Sequence, residues 1–127
     1  PKFQTNNLEN TIKAINYATA MKAHIINYSG GGTEYSQQEF EAIRKSRSEG
    51  ILFVAAAGNE HSNSDKQKYY PANYDLDNII SVTAINPSLK VLASSNYGVR
   101  TVHVAAPGEE IYSTWPGNTF GNLTGTS

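Results

Sequence analysis

The chain has 127 residues, of which 39% are hydrophobic and 17% are charged, and its net charge is −1. This balance is typical of a globular protein, and the lysines and arginines are spread along the chain without forming a basic stripe for nucleic acid. Apolar runs of only a few residues are too short to span a membrane. The absence of cysteine excludes disulfides and a thiolate nucleophile.

The chain begins with a predicted helix and a predicted strand. Apolar residues recur at helical spacing over residues 8–22, with Asn6 or Asn7 as the N-cap. Residues 23–28 are apolar and β-prone, which predicts a buried strand near His24.

A second helix and a second strand follow. Ser36 and Glu39 have the spacing of a capping box and predict the start of a helix. This helix spans about residues 36–49, and Gly50 provides its C-terminal cap. The apolar run 51–55 then predicts another strand. Helices that alternate with strands over short connections are typical of a parallel sheet, and strands that are apolar throughout are covered on both faces. We therefore expect an α/β fold.

The second half of the chain opens with a long polar loop, residues 56–77. Loops of this length are uncommon in compact domains and are often functional. Further strands are predicted over residues 79–84, 91–94, 102–105, 111–115 and 119–123. The sequence stops on a loop at Ser127 with no closing helix, so we expect residues 1–127 to be a truncated fragment of an α/β domain.

The first segment that could carry chemistry is Ser29 with the glycines at 30–32. It follows the first predicted strand, at the edge where open parallel sheets bind ligands. A plain turn explains these residues equally well. A phosphate loop would need a Lys-Ser/Thr pair or a G-x-G-x-x-G spacing, and neither is present.

Two further candidate segments end in Asn59 and Ser127. Asn59 follows a run of small residues, and its carboxamide could donate to an oxyanion, although asparagine is also a common turn former. Ser127 follows Gly125 and Thr126, and it could be a nucleophile only if a base reaches it.

Taken together and in this order, the segments resemble the subtilisin family of serine proteases. The matching stretches are Ile26–Gly32 (compare I-N-M-S-L-G-G), Val54–Glu60 (V-A-A-A-G-N), Tyr70–Ala72, Ile79–Ala84, Ser94–Gly98 (F-S-S-x-G), Ala105–Gly108 and Gly125–Ser127 (the start of G-T-S-M-A). The resemblance implies a three-layer parallel-sheet subtilisin-like fold, of which residues 1–127 form part. It also implies a serine endopeptidase that cleaves polypeptides through an acyl-enzyme.

The resemblance implies roles for individual residues as well. Ser127 is the implied nucleophile, and the Asn59 side chain and the Ser127 N–H are the implied oxyanion donors. The two walls of the substrate pocket are implied to be Ser29, Gly30 and Gly31 on one side and Ala56, Ala57 and Gly58 on the other. No cofactor is implied, although carbonyls near residues 70–74 could hold a calcium ion. The family resemblance suggests a secreted or periplasmic location.

The sequence departs from the family pattern at the acid and the base. The motifs D-[ST]-G and H-G-T-x-V-A-G are absent. We expect His24 to be structural, His103 stands where the family often has Asp, and only His61 is a candidate for a role at the cleft. Gly30 replaces the usual Leu, which should widen or soften the pocket wall. We expect the fragment alone to be inactive, and to need a missing half-domain or to self-associate.

Other functions stay open at this point. The chain could be a non-catalytic pseudoprotease, or a half-domain that binds peptides along Gly30–Gly32 by strand addition. A nucleotide-binding α/β domain that uses the glycine turn is the weaker alternative. Asp and His motifs in the full-length gene would separate the protease from the non-catalytic module.

Overall fold

A computed structural model describes residues 7–127 as two helices and six strands. The elements are α1 (Asn7–Ala20), β1 (Ile25–Tyr28), α2 (Gln37–Ser48), β2 (Leu52–Ala56), β3 (Ile79–Ile85), β4 (Val104–Pro107), β5 (Ile111–Trp115) and β6 (Thr119–Leu123). Neither helix of this part of the chain has the length and hydrophobicity that a membrane span requires.

Helix α1 forms where the helical spacing predicts it and ends at Ala20. Its buried side includes Ile15 and Thr19, and the Thr19 hydroxyl donates to the Ile15 carbonyl at 2.8 Å. This bond satisfies a polar group that would otherwise be buried without a partner. The N-cap predicted at Asn6 or Asn7 lies outside the described side chains.

Helix α2 begins after Ser36 and ends before Gly50, as predicted. The Ser36 hydroxyl accepts a hydrogen bond from the Glu39 N–H at 3.3 Å, which is one half of the predicted capping box. The other half is replaced, because the Ser36 N–H donates to the Tyr74 hydroxyl at 3.2 Å and this hydroxyl donates to the Glu39 carboxylate at 2.7 Å. At the other end Gly50 has a φ of 74°, which glycine adopts without strain, and its N–H bonds to the Arg47 carbonyl at 2.9 Å. The chain passes from this cap directly into β2.

The main sheet has the strand order β1-β2-β3-β4, and all neighbouring strands are parallel. Tyr28 lies opposite Ala55, and Ala56 lies opposite Val82, so the carboxyl ends of the first three strands reach one edge. Strands β5 and β6 pair separately as an antiparallel hairpin. The predicted α/β fold, with β1 and β2 adjacent and parallel, is confirmed.

The core lies between the helices and one face of the sheet. Phe53 and Ala55 point from β2 into a cluster that includes Ile15 of α1 and Ile43 of α2. Phe53 and Ile43 are completely buried. Both helices therefore cover the same face, and the described residues contribute the sheet and one helical layer to the fold.

The opposite sheet face forms a groove with a volume of about 380 Å³ that reaches Ser127. Val54, Val82 and Val104 line it from neighbouring strands, because alternate side chains of a strand point to opposite faces. Val104 is 51% exposed. The groove is thus an apolar sheet face that the described residues leave open.

The burial of β1 differs from the prediction. Ile26 and Tyr28 pack on the core, whereas Ile25 and Asn27 are exposed. β1 is an outer strand of the sheet in residues 7–127, and the helices cover only one of its faces, so its side chains alternate between packed and open positions. His24, which was expected to open a buried strand, is exposed too.

The strand predicted over residues 91–94 is wrong. Val91 makes only a single bridge to Ile85. The Asn86 side chain closes a tight turn just before Val91 by accepting two hydrogen bonds of 3.0 Å. The chain turns again directly after Val91, because the Ser95 N–H donates to the Leu92 carbonyl at 3.0 Å, so no strand can continue there. Strand β4 begins at Val104, slightly later than predicted.

Candidate functional site

The candidate segments with Ser29 and Asn59 follow β1 and β2, and the third segment, which ends in Ser127, bonds to both of them. The Ser127 hydroxyl donates to the Ser29 carbonyl at 3.3 Å, and the Ser29 hydroxyl donates to the Ser127 carbonyl at 3.1 Å. Ser29 directly follows β1, so the serine of the third segment lies against the glycine segment.

Asn59 holds the residue that precedes this serine. Its Oδ1 accepts a hydrogen bond from the Thr126 N–H at 2.9 Å, and the Thr126 hydroxyl accepts from the Gly58 N–H at 3.1 Å. A methyl group at Gly125 would lie 3.3 Å from the Asn59 Nδ2, so the backbone passes close to the donor end of the carboxamide. The arrangement leaves the Nδ2 hydrogens available for another acceptor.

Asn96 bonds to the loop that carries Asn59, and its role was not predicted from the sequence. Its side chain is 1% exposed. Nδ2 donates to the Ala57 carbonyl at 2.8 Å, and Oδ1 accepts from the Glu60 and Ser62 N–H groups at 2.9 and 3.1 Å. These three bonds bracket Asn59 on both sides and fix the course of the loop. The only signal in the sequence was the position of Asn96 within the Ser94–Gly98 turn.

The predicted pocket-wall residues at the end of β2 and just after it are packed tightly. Ala56 and Ala57 are 7% and 1% exposed, and Gly58 is buried. Gly58 has a φ of 104°, which side-chain-bearing residues rarely adopt, and a methyl group there would lie 2.4 Å from the Asn96 Nδ2. Glycine is therefore required at this position.

The glycine wall on the other side is joined to the long loop. Gly32 and Tyr70 exchange two backbone hydrogen bonds of 2.9 and 2.7 Å. A methyl group at Gly31 would lie 2.4 Å from the Tyr70 carbonyl oxygen, so the loop approaches too closely for any side chain. A methyl group at Gly30 would lie 3.3 Å from the ring of Tyr28. This ring therefore occupies part of the space that a larger residue at position 30 would need.

The histidines lie elsewhere. Nδ1 of His61 is hydrogen-bonded to the Ala93 carbonyl, and Nδ1 of His103 accepts from the Ser81 N–H at 2.9 Å. Within residues 7–127 no histidine forms a hydrogen bond with Ser127. The same residues contain no cluster of three or more His, Asp or Glu placed to hold a metal ion.

The chain matches known proteins over nearly all of its length. The Subtilase family model covers residues 3–127. Subtilisin DY of Bacillus licheniformis is 38% identical over 117 residues, which are 91% of this chain and 42% of that protein. Subtilisin-like protease 2 of Plasmodium falciparum is 36% identical over 120 residues, which are 91% of this chain and 9% of that protein. The major intracellular serine protease of Bacillus subtilis is 36% identical over 118 residues, so family membership alone does not decide the location.

Solved structures agree with these sequence matches. The prenylagaramide maturation protease PagA superposes with a TM-score of 0.80 at 27% identity, covering 93% of this chain and 43% of its own. The self-cleaved protease domain of PatA gives 0.80 at 31% identity, with 92% and 44% covered. The chain spans less than half the length of each of these relatives. With a family match over residues 3–127 and a shared fold, this chain belongs to the subtilase family of serine proteases.

Proposed function

We propose that the protein to which this chain belongs is a serine endopeptidase that hydrolyses peptide bonds through an acyl-enzyme at Ser127. The observation that carries the proposal is the 2.9 Å hydrogen bond between Thr126 and Asn59, together with the 3.3 Å contact between Ser127 and Ser29. These bonds bring a serine hydroxyl, a carboxamide donor and a glycine-rich strand end to one point.

In this proposal Ser127 attacks the substrate carbonyl, and two N–H groups stabilise the oxyanion that forms. The donors are Nδ2 of Asn59 and the backbone N–H of Ser127. Donors fixed before the reaction stabilise developing charge without having to reorganise, which makes this one of the largest contributions to catalysis. The hydrogen bond that Asn59 accepts from Thr126 would hold its carboxamide in that fixed position.

The substrate backbone would lie along Ser29, Gly30 and Gly31 as an added strand. An extended peptide can pair with the free edge of a strand through main-chain hydrogen bonds, and β1 has such an edge in the described residues. The opposite wall of the pocket would be formed by Ala56, Ala57 and Gly58.

The general base would come from outside these 127 residues. A serine hydroxyl is a poor nucleophile unless a neighbouring base takes its proton, and the family uses a His oriented by an Asp. His24, His61 and His103 are all within the described part of the chain, and none of them bonds to Ser127. Residues 1–127 alone should therefore be inactive.

Labelling with a fluorophosphonate probe tests the proposal. The full-length protein should label at Ser127, Ser127→Ala should abolish labelling, and Ser113→Ala on the exposed hairpin should label normally. The isolated 127 residues should not label. Peptide binding without labelling of the full-length protein would identify a non-catalytic module instead. Labelling of the isolated 127 residues would show that the base lies within them, and His61 would be the first residue to mutate.

The location and the ion requirement are further parts of the proposal. We expect the full-length protein in the secreted or periplasmic fraction, and an intracellular protein would contradict this. A calcium ion held by carbonyls of residues 70–74 would raise the melting temperature when calcium is added to chelator-treated protein. An unchanged melting temperature would exclude such a site.

A further inference from the structure

The ring of Tyr69 lies between the two pocket walls. A methyl group placed at Gly31 would lie 2.5 Å from Cε1 of Tyr69, and one placed at Gly58 would lie 2.9 Å from the same atom. One edge of a single phenol ring therefore touches the backbone of both walls. The space that separates Gly31 from Gly58 is already occupied by this ring.

The backbone of Tyr69 is held by hydrogen bonds at both its N–H and its carbonyl. Its N–H donates to Oδ1 of Asn73 at 2.9 Å, and its carbonyl accepts from the Asn73 N–H at 2.9 Å. The next residue, Tyr70, is bonded through both of its backbone groups to Gly32. The ring therefore projects from a fixed backbone position into the space between Gly31 and Gly58.

The phenol is also uncharged at neutral pH. Burial raises the pKa of Tyr69, and the nearby Glu60 carboxylate and Tyr28 raise it further. The ring thus presents a neutral and largely apolar surface to whatever enters between the walls.

We propose, on the basis of the proposed function, that Tyr69 forms the floor of the pocket for the acyl residue, meaning the substrate residue whose carbonyl is attacked. Because the ring spans the distance between Gly31 and Gly58, the pocket is shallow. It accepts glycine, alanine or serine as the acyl residue and rejects aromatic side chains. Tyr69 is in this sense a specificity-determining residue and takes no part in the chemical step.

The expected effect is large. Each methylene that a pocket accepts or excludes changes kcat/KM by roughly 10–200-fold. An aromatic acyl residue that meets the Tyr69 ring should therefore react at least about 100-fold more slowly than alanine. Removal of the ring should reverse most of that difference.

Two peptide anilides that differ only in having Ala or Phe as the acyl residue test the proposal on the full-length protein. The wild type should prefer Ala, Tyr69→Phe should keep that preference because it keeps the ring, and Tyr69→Gly should raise the Phe:Ala ratio of kcat/KM by about 100-fold. Tyr17→Ala, on the exposed side of α1, serves as the control that leaves the ratio unchanged. A wild type that prefers Phe overturns the proposal even if no variant folds. An unchanged ratio in folded Tyr69→Gly overturns it as well.

A binding measurement separates this proposal from the proposed function. Peptides that end in Ala or Phe can be titrated calorimetrically into full-length Ser127→Ala, which needs no turnover. Tighter binding of the peptide ending in Ala, with the order reversed by Tyr69→Gly, supports the shallow pocket even if the protein cleaves nothing. Equal or tighter binding of the peptide ending in Phe by the protein with Tyr69 intact contradicts it.

Discussion

Asn59 and Thr126 are 67 residues apart in the chain, yet Oδ1 of Asn59 accepts the Thr126 N–H at 2.9 Å. The bond uses the acceptor end of the carboxamide and leaves the donor end free. In the proposed mechanism the acceptor end thus positions the side chain, while the donor end would stabilise the oxyanion.

Asn59→Asp tests this division in the full-length protein. The variant keeps an acceptor for Thr126 but loses the N–H donor, so kcat should fall while KM and the melting temperature stay close to the wild type. Loss of one such donor lowers kcat by about 10²–10³, a magnitude measured on subtilisin itself. Asn122→Asp on the exposed hairpin is the matched control. A kcat within a few-fold of the wild type would exclude Asn59 as an oxyanion donor.

Asn96→Ala should destabilise the protein strongly. It would leave the Ala57 carbonyl and the Glu60 and Ser62 N–H groups without their partner. Each buried polar group left unpaired costs roughly 1–3 kcal/mol. Urea unfolding should show this loss, whereas Asn122→Ala should stay within about 0.5 kcal/mol of the wild type. An unchanged midpoint for Asn96→Ala would mean that water replaces its bonds.

Glu39→Gln should flatten the dependence of stability on pH. Glu39 is 3% exposed, and burial raises the pKa of its carboxyl, although the Tyr74 hydroxyl bond at 2.7 Å opposes this. The folded state therefore keeps the proton to a higher pH than the unfolded state does. The stabilising contribution is greatest below the unfolded pKa of about 4.3 and declines as the pH rises towards the folded pKa. Glutamine preserves an acceptor for Tyr74, so the variant should melt higher than the wild type at neutral pH. Glu34→Gln, which is exposed, should show neither effect.

Asp65→Asn should remove a contribution to stability that is lost towards low pH, whereas the contribution of Glu39 is lost towards high pH. Hydrogen bonds from the Thr101 hydroxyl and from the N–H groups of Arg100, Val99 and Thr101 lower the pKa of Asp65. Its contribution is fully present above the unfolded pKa of about 3.9 and is lost as the pH falls through the folded pKa. Melting curves between pH 6 and pH 2 should therefore show a weaker acid transition in the variant. The exposed Asp75→Asn is the control, and a transition as steep as in the wild type would count against the assignment.

The 127-residue chain expressed alone should self-associate. Val104 in the groove is 51% exposed, and Trp115 and Phe120 on the hairpin are 46% and 61% exposed. Covering a few hundred Å² at about 25 cal/mol per Å² is worth several kcal/mol, against a typical domain stability of about 5–15 kcal/mol. Sedimentation velocity should detect oligomers, and a monomer that unfolds cooperatively in dilute solution would refute this expectation.

The features that could be predicted from the sequence depend on nearby residues. The bond between the Ser36 hydroxyl and the Glu39 N–H and the glycine cap at Gly50 involve neighbours within one turn, so local spacing was sufficient. The parallel sheet followed from the alternation of helices and strands over short connections. Motif order was enough to identify the family.

The features that escaped prediction depend on distant contacts. Asn96 bonds to Ala57, which is 39 positions away, and Tyr69 approaches Gly31 across a similar stretch of chain. Asn96 lies within the matching stretch Ser94–Gly98 and Tyr69 directly precedes Tyr70–Ala72, but neither local pattern reveals the distant contact. The exposure of Ile25 has the same origin, because a strand is covered only where other elements pack on it. Apolar character therefore predicted the strand but not its burial.

The long separations at the site have a consequence for the order of folding. The contact between Ser29 and Ser127 closes a loop of 98 residues, whereas β1 and β2 pair across a single helix. Closing a long loop costs more chain entropy than closing a short one, and the amino-terminal part of a chain leaves the ribosome first. The sheet can thus assemble while the serine segment is still being synthesised. We therefore expect the bonds that join the Ser127 segment to Ser29 and Asn59 to form after β1 and β2 have paired.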